Sequence, residues 1–323
     1  NFKRVNILIS MLQPAISFSF GASKQKNLKI FTGSKVSVFN DDELLCDGFI
    51  NQITKSTDTD VDKVNYIGRS IIADVIDCTV AADVTNWLDA SPKVIINDLL
   101  KPFNITADFT EEITDTIDFS TKPGDKVFSV IEELLSRYNF ISFEKSPSVL
   151  TITKAVKSGN IGTLKFGNTT DILKLVNYQE DDSNRFSEYN VVGDTGVVIQ
   201  TESGGKAVDE TIKRHRPFTI QLDGEVTNKQ CQERAEYERT IAAANSLSFS
   251  YLVPRWTAPN NKTWQPNTLI NIIDDEHNLN GEYLLVSVTL KQNLKNKTAE
   301  LTFAPPKSFT DKPPEEPTQE FFI

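Results

Sequence analysis

VPRWTAPNNKTWQPNTLINIIDDEHNLNGEYLLVSVTL, residues 253–290, is the stretch on which the fold reading turns. It leaves one strand, crosses a Pro- and Asn-rich loop bracketed by Trp256 and Trp264, and then offers two strand candidates, 269–273 and 283–290. A third candidate, 299–303, completes a meander. Just upstream, residues 228–245 carry good helix formers (QERAEYERTIAAA) and neither Gly nor Pro, so one long helix is expected there, with strand 247–253 after it.

Outward from this region the pattern stays rich in strands. Ile16, Phe18 and Phe20 alternate with Ser17 and Ser19, and Val36 and Val38 alternate with Lys35 and Ser37. A period of two sends one set inward and the other to solvent. Asn40-Asp41-Asp42 is a turn cluster, so 35–39 and 43–54 read as a hairpin, with further strands at 64–67 and 71–77. Near residue 85 the pattern changes. Ser91-Pro92 offers a cap and a first-turn proline, and Val94, Ile95, Asp98 and Leu99 follow helical spacing. In a second helix, capped by Asp125, residues Val127, Val130, Ile131, Leu134, Leu135 and Tyr138 share one face. Strands follow at 140–144 and 149–153, then at 171–180, 187–192 and 218–222, with a Gly-bearing loop expected around Ser203-Gly204-Gly205. The fold class is therefore α+β, mainly β. A small mixed unit at 85–156 is inserted between β-rich regions at 1–84 and 157–307, and a Pro-rich tail occupies 308–323.

Composition narrows the functions. Among 323 residues, 34 Lys and Arg face 44 Asp and Glu, a net charge of −10, which disfavours sequence-independent binding to a phosphate backbone. No run approaches the ~20 apolar residues of a membrane helix, and the start NFKRVNILIS lacks signal-peptide features, so no membrane insertion is expected. Cys46, Cys78 and Cys231 are few and far apart, which reads as reduced, packed thiols. With only His215 and His277, a multi-histidine zinc site is out of reach, and no Gly-x-Ser-x-Gly turn is present. No catalytic, cofactor or metal residues are assigned. The run Asp58-Thr59-Asp60-Val61-Asp62 begins like a calcium loop, but Lys63 and Arg69 stand where Gly and Glu are needed, so it reads as an acidic hairpin tip. Ser203-Gly204-Gly205-Lys206 has no Ser or Thr after the Lys and is no phosphate loop. Two acidic stretches, 41–62 and 108–118, are solvated faces or surfaces that repel polyanions. Arg214 and Arg216 form a basic cluster suited either to a partner's carboxylates or to a solvated strand edge. Trp256 and Trp264 suit either an interface anchor or a lid on a barrel end.

Several segments together resemble the baseplate hub proteins of Mu-like contractile-tailed phages. They are CQERA (231–235), Val253-Pro254-Arg255-Trp256, Trp264-Gln265-Pro266-Asn267, Leu284-Leu285-Val286 and the closing LTFAPPKSF (301–309). AVDETIKRHRPF (207–218) is similar to the family's segment with Asp209, Arg214, Arg216 and Pro217, and GRSIIADVIDCT (68–79) to its Gly-Arg-Ser…Asp-Cys segment. Arg255 departs from the expected Gly. The unit at 91–154 resembles the small insertion of hub proteins and of type VI secretion spikes.

The resemblance implies two tail-tube-like β-barrel domains and a non-enzymatic homotrimer. It would join the sixfold tail tube protein to the threefold central spike protein and touch other baseplate proteins, with DNA passing through the lumen without specific binding. It also implies a virion location, assembly in the bacterial host cytoplasm and a chain that starts just after its start residue. Arg214, Arg216, Trp256 and Trp264 are the candidate partner contacts. The rival readings are a hub from a type VI device or tailocin, a tail-associated cell-wall hydrolase, and a carbohydrate- or receptor-binding module.

Overall fold

In the computed structural model the described residues are 2–23, 30–58, 61–81, 86–122, 124–156, 159–168, 170–194, 203–309 and 311–312. The chain divides into two compact units: residues 1–176 with 250–303, and residues 177–249 with 304–323. It leaves the first unit along strand Lys174–Glu180 and re-enters it along Leu247–Val253. The fold is mainly β, as expected.

One large sheet dominates. Its path runs Lys174–Glu180, Leu247–Val253, Lys297–Ala304, Leu279–Asn293, Phe2–Ser10, Gln13–Ser23, Val61–Ser70, Glu43–Asp58 and Lys35–Asn40. Thr268–Asp274 branches from Leu279–Asn293 and pairs in parallel with Asn160–Lys165. Strands from both β-rich regions thus share one sheet. They join where Phe2–Ser10 lies antiparallel to Leu279–Asn293, in register from Arg4 opposite Asn293 to Ser10 opposite Ser287. Among the described residues the path does not close into a barrel. The expected alternation holds: Ile16, Phe18 and Phe20 are buried, and Ser17 and Ser19 between them are half-buried. Gly68 sits where strand Val61–Ser70 presses on its neighbours. A Cβ there would lie 2.4 Å from the Phe49 carbonyl oxygen and 2.5 Å from the Phe18 ring.

The insertion has helices α1 (Ile72–Asp77), α2 (Pro92–Leu100) and α3 (Val127–Ser136). Two small sheets accompany them. One places Val149–Thr153 between Thr106–Phe109 and Ile141–Ser146, and the other pairs Asn86–Ala90 with Ile117–Ser120. Ser91 caps α2 by accepting from the Val94 N–H at 3.4 Å, with Pro92 in the first turn. Helix α3 buries Val127, Phe128, Val130, Ile131, Leu134 and Leu135 against α1, α2, Leu150 and Ile152.

Two expectations fail here. Asp125 does not cap α3; its carboxylate accepts from the Lys122 N–H at 2.6 Å, and Lys126 occupies the cap position. The stretch 71–77 is helix α1 (Ile72–Asp77) preceded by its cap residue Ile71, not a strand. A short apolar run fits both periods, and packing of Ile72, Ala73 and Val75 into the insertion core selects the helix.

The second unit holds a three-stranded sheet, with Glu188–Asp194 between Ser203–Val208 and Pro217–Glu225, and helix α4 (Asn228–Asn245) beside it. The helix begins at a reciprocal cap: Thr227 Oγ1 accepts from the Gln230 N–H at 3.3 Å, and Gln230 Oε1 accepts from the Thr227 N–H at 2.7 Å. The expected loop at 203–205 is the start of a strand. Gly205 serves close approach rather than a turn: a Cβ on it would lie 2.2 Å from the Cys231 carbonyl carbon.

Candidate functional site

The Trp-bracketed loop lies entirely in the first unit. Trp256 is 4% exposed and Trp264 is 0% exposed. The Trp256 indole N–H is shared between the carbonyls of Lys291 (3.1 Å) and Thr298 (2.9 Å), and the Trp264 indole donates to the Arg255 carbonyl at 3.2 Å. Both polar handles are satisfied inside the protein, so the rings fasten the loop from within. The Lys297 ammonium lies 5.2 Å from the centroid of the Trp256 ring and donates to Asp41 at 3.2 Å. Thr263 donates to Glu43 and accepts from the Asn40 amide at 3.1 Å. The loop therefore holds the tip of the hairpin formed by Lys35–Asn40 and Glu43–Asp58. At its far end Asn267, at φ 57, accepts from the Val156 N–H (2.8 Å) and donates to the Lys154 carbonyl (3.0 Å), pinning the exit of the insertion.

The basic cluster belongs to the second unit. Arg214 is exposed and pairs with Asp182 at 2.7 Å, a contact worth ~0–1 kcal/mol in solvent. Arg216 is half-buried, donates to the Ser183 carbonyl at 2.7 Å and lies 5.2 Å from the centroid of the Phe186 ring, which stacks on Phe218. Beside them Arg185 and Asp209 form a largely buried pair at 2.7 Å. Burial pushes the Asp209 carboxyl up, but the Thr211 hydroxyl and N–H and the Arg185 guanidinium outweigh it and hold it below the usual range. Asp209 was legible as a motif residue; Arg185, 24 positions away, carried no signal until the strands were placed.

Several carboxylates of the acidic stretches are exposed yet engaged within the chain. Asp41 and Glu43 serve the hairpin tip, Asp118 accepts from the Asp89 N–H at 2.8 Å, and Glu111 lies 4.0 Å from Lys154. Residues 59 and 60 of the acidic hairpin tip lie outside the described residues, as does nearly all of the 308–323 tail beyond Phe309. The strands that lead into the tip do pair, with Asp58 opposite Val61.

One histidine is engaged. His277 Nδ1 lies 2.8 and 3.0 Å from the two carboxylate oxygens of Asp274, a side chain with 0% exposure. Tyr251 donates its hydroxyl to the same carboxylate, and burial together with Asp274 pushes its phenol up, so it keeps that proton. The imidazole meets Phe166 edge-on at 4.9 Å. Among the described residues no hydroxyl or thiol hydrogen-bonds to this imidazole, and no group of three His, Cys, Asp or Glu residues is placed to hold a metal. The cluster closes the turn between Thr268–Asp274 and Leu279–Asn293. Among the described residues no helix is long and apolar enough to cross a membrane.

Comparison with known proteins meets this geometry at several points. Residues 72–154, the helical insertion, match the second domain of gp44-like baseplate hub proteins. Residues 227–312, from the cap of α4 through the Trp loop to the last strand, match the fourth domain of the Mu phage baseplate assembly protein GpP. The baseplate hub protein gp44 of Escherichia phage Mu is 28% identical over 277 residues, covering 81% of this chain and 72% of that protein. The 43 kDa tail protein of prophage MuSo2 from Shewanella oneidensis has the same fold, with TM-score 0.84 and 20% identity over 97% of this chain and 96% of that one. A tail protein from Neisseria meningitidis MC58 follows at TM-score 0.78 and 18% identity over 97% and 95% of the two chains. Over 81% of its length the chain is similar in sequence to the baseplate hub protein of phage Mu, and over nearly all of it the fold is that of the tail proteins of such prophages.

Proposed function

We infer that the chain is a structural baseplate hub of a contractile phage tail, and so a virion tail component. The observation that carries this is the match to the Mu hub protein over 81% of the chain, reinforced by the hub-domain match on the insertion. In this reading the protein is not an enzyme and uses no cofactor. Three copies close into a ring, and each contributes two tail-tube-like wall segments. The continuous sheet supports that division: its halves join at Phe2–Ser10 and Leu279–Asn293, and among the described residues its path ends at Lys35–Asn40 and Lys174–Glu180. A ring of this kind adapts a sixfold tail tube to a threefold spike and contacts other baseplate proteins. DNA passes through it without specific binding, and the net charge of −10 suits such a passage, because cations there would retard a polyanion. Assembly takes place in the bacterial host cytoplasm.

Electron microscopy of the purified full chain tests this. The expected result is a threefold ring with a central opening and sixfold pseudosymmetry in its wall. A species that sediments as a monomer at high concentration and forms no ring would overturn it. Robust turnover of peptidoglycan would replace it with the hydrolase reading. Capsid and terminase genes beside the coding sequence are expected, and secretion-system genes in their place would move the hub to a type VI device.

A further inference from the structure

Glu144 lies on strand Ile141–Ser146, the edge of the insertion's three-stranded sheet that faces strand Gln13–Ser23 of the large sheet. It is 1% exposed. Its carboxylate spans the boundary: Oε2 accepts from the Ile16 N–H at 3.4 Å, and Oε1 accepts from the Ser148 N–H of its own hairpin at 3.2 Å. Ser70 Oγ accepts from the same Ile16 N–H at 3.1 Å and also hydrogen-bonds to Glu144. The ionisable groups facing Glu144 are Asp47 and the Cys46 thiol, both on strand Glu43–Asp58. Among the described side chains, Gln13–Ser23 and Val61–Ser70 present the Ile16 amide and the Ser70 hydroxyl. Among the described residues no Lys, Arg or His pairs with this carboxylate. A fully buried carboxylate without a cation is costly, whereas a neutral carboxyl there is nearly free of that cost.

We propose that Glu144 is a proton-operated latch: protonated, it seats the insertion on the large sheet, and ionised, it loosens that seat. Burial is the main cause that pushes its carboxyl up, to about 7, against the lowering effect of the Ser70, Ser148 and Ile16 hydrogen bonds and with a further push from Asp47. The seated carboxyl holds its proton more tightly than a solvent-exposed glutamate does. Seating is therefore strongest in acid, weakens as pH rises from the ordinary glutamate range, and levels off once pH has passed the seated value. The latch rests on the fold of the first unit alone and stands whether or not the ring forms.

Two measurements on the full chain test it. In carboxyl-13C glutamate NMR, one resonance titrates near neutrality and is missing from Glu144→Gln; a spectrum in which every glutamate titrates in its ordinary range overturns the latch. In hydrogen exchange corrected for intrinsic rates, protection of strands Gln13–Ser23 and Ile141–Ser146 falls about thirtyfold between pH 5 and 7 in the native chain and plateaus above pH 8. In Glu144→Gln it stays flat across that range. The same pH profile in both proteins would also overturn the latch. Should Glu144→Gln fail to fold, the native titration and the native exchange profile decide alone.

Discussion

Helices α3 and α4 are both secured, but by different forces. Helix α3 buries six large apolar side chains in the insertion core, the usual amphipathic solution. Helix α4 is 18 residues long and buries only Cys231, Ala235 and Ala244. What holds it is proximity. Gly205 lets strand Ser203–Val208 come up against the Cys231 backbone. Gln232 then pairs with that strand as another strand would, accepting from the Lys206 N–H at 3.0 Å and donating to the Lys206 carbonyl at 3.1 Å, and Asn228 accepts from the Gly204 N–H at 2.9 Å. The free edge of the small sheet is thereby covered by side-chain amides. A helix with little apolar face is here seated by a close backbone approach, side-chain amides and a small apolar cluster.

Substitutions can break this contrast. Leu134→Ala leaves a cavity under α3 and is expected to cost about 3 kcal/mol, read as a lower unfolding midpoint by tryptophan fluorescence, since Trp87, Trp256 and Trp264 all lie in the first unit. Gly205→Ala forces strand and helix apart and is expected to cost about 2 kcal/mol, visible as faster hydrogen exchange across Glu188–Asp194 and α4, with the tryptophan signal unchanged. Equal responses of both units to either change would erase the distinction. Gln232→Ala removes the amide that covers the strand edge and is expected to cost about 1 kcal/mol by the same exchange measurement. Arg214→Ala, breaking an exposed pair with Asp182, is expected to change stability by under about 0.5 kcal/mol in chemical denaturation, a floor against which the others are judged.

The contrast also explains what could be read from the sequence. Helix 228–245 and strand 247–253 were legible to the residue, because propensity and the absence of breakers settle them without a partner. The α3 face was legible from its period except at Tyr138, which lies beyond the helix's end at Ser136. Ser203–Val208 was not, because Gly-Gly signals a turn unless the helix that needs the close approach is known. Phe2–Ser10 drew no strand reading, although it forms a hairpin with Gln13–Ser23; only its other partner, Leu279–Asn293, is far away in the chain. Trp256 and Trp264 were read as interface anchors or a barrel-end lid; that their indoles donate to the carbonyls of Arg255, Lys291 and Thr298 only the fold shows. Glu144 stood among many carboxylates, and nothing in the sequence marked it as the one that crosses a boundary.

The pairing of Arg4 with Asn293 also governs when the molecule can be finished. During synthesis the N-terminal strands and the insertion emerge first and can organise locally, but the seam at Phe2–Ser10 stays open until residues past 290 have cleared the ribosome. Until then Phe2–Ser10 has an unoccupied side that any passing strand could claim. A nascent chain stalled before residue 279 should therefore be the most adhesive species in the life of this protein, and the last strands to appear are the ones that end that exposure.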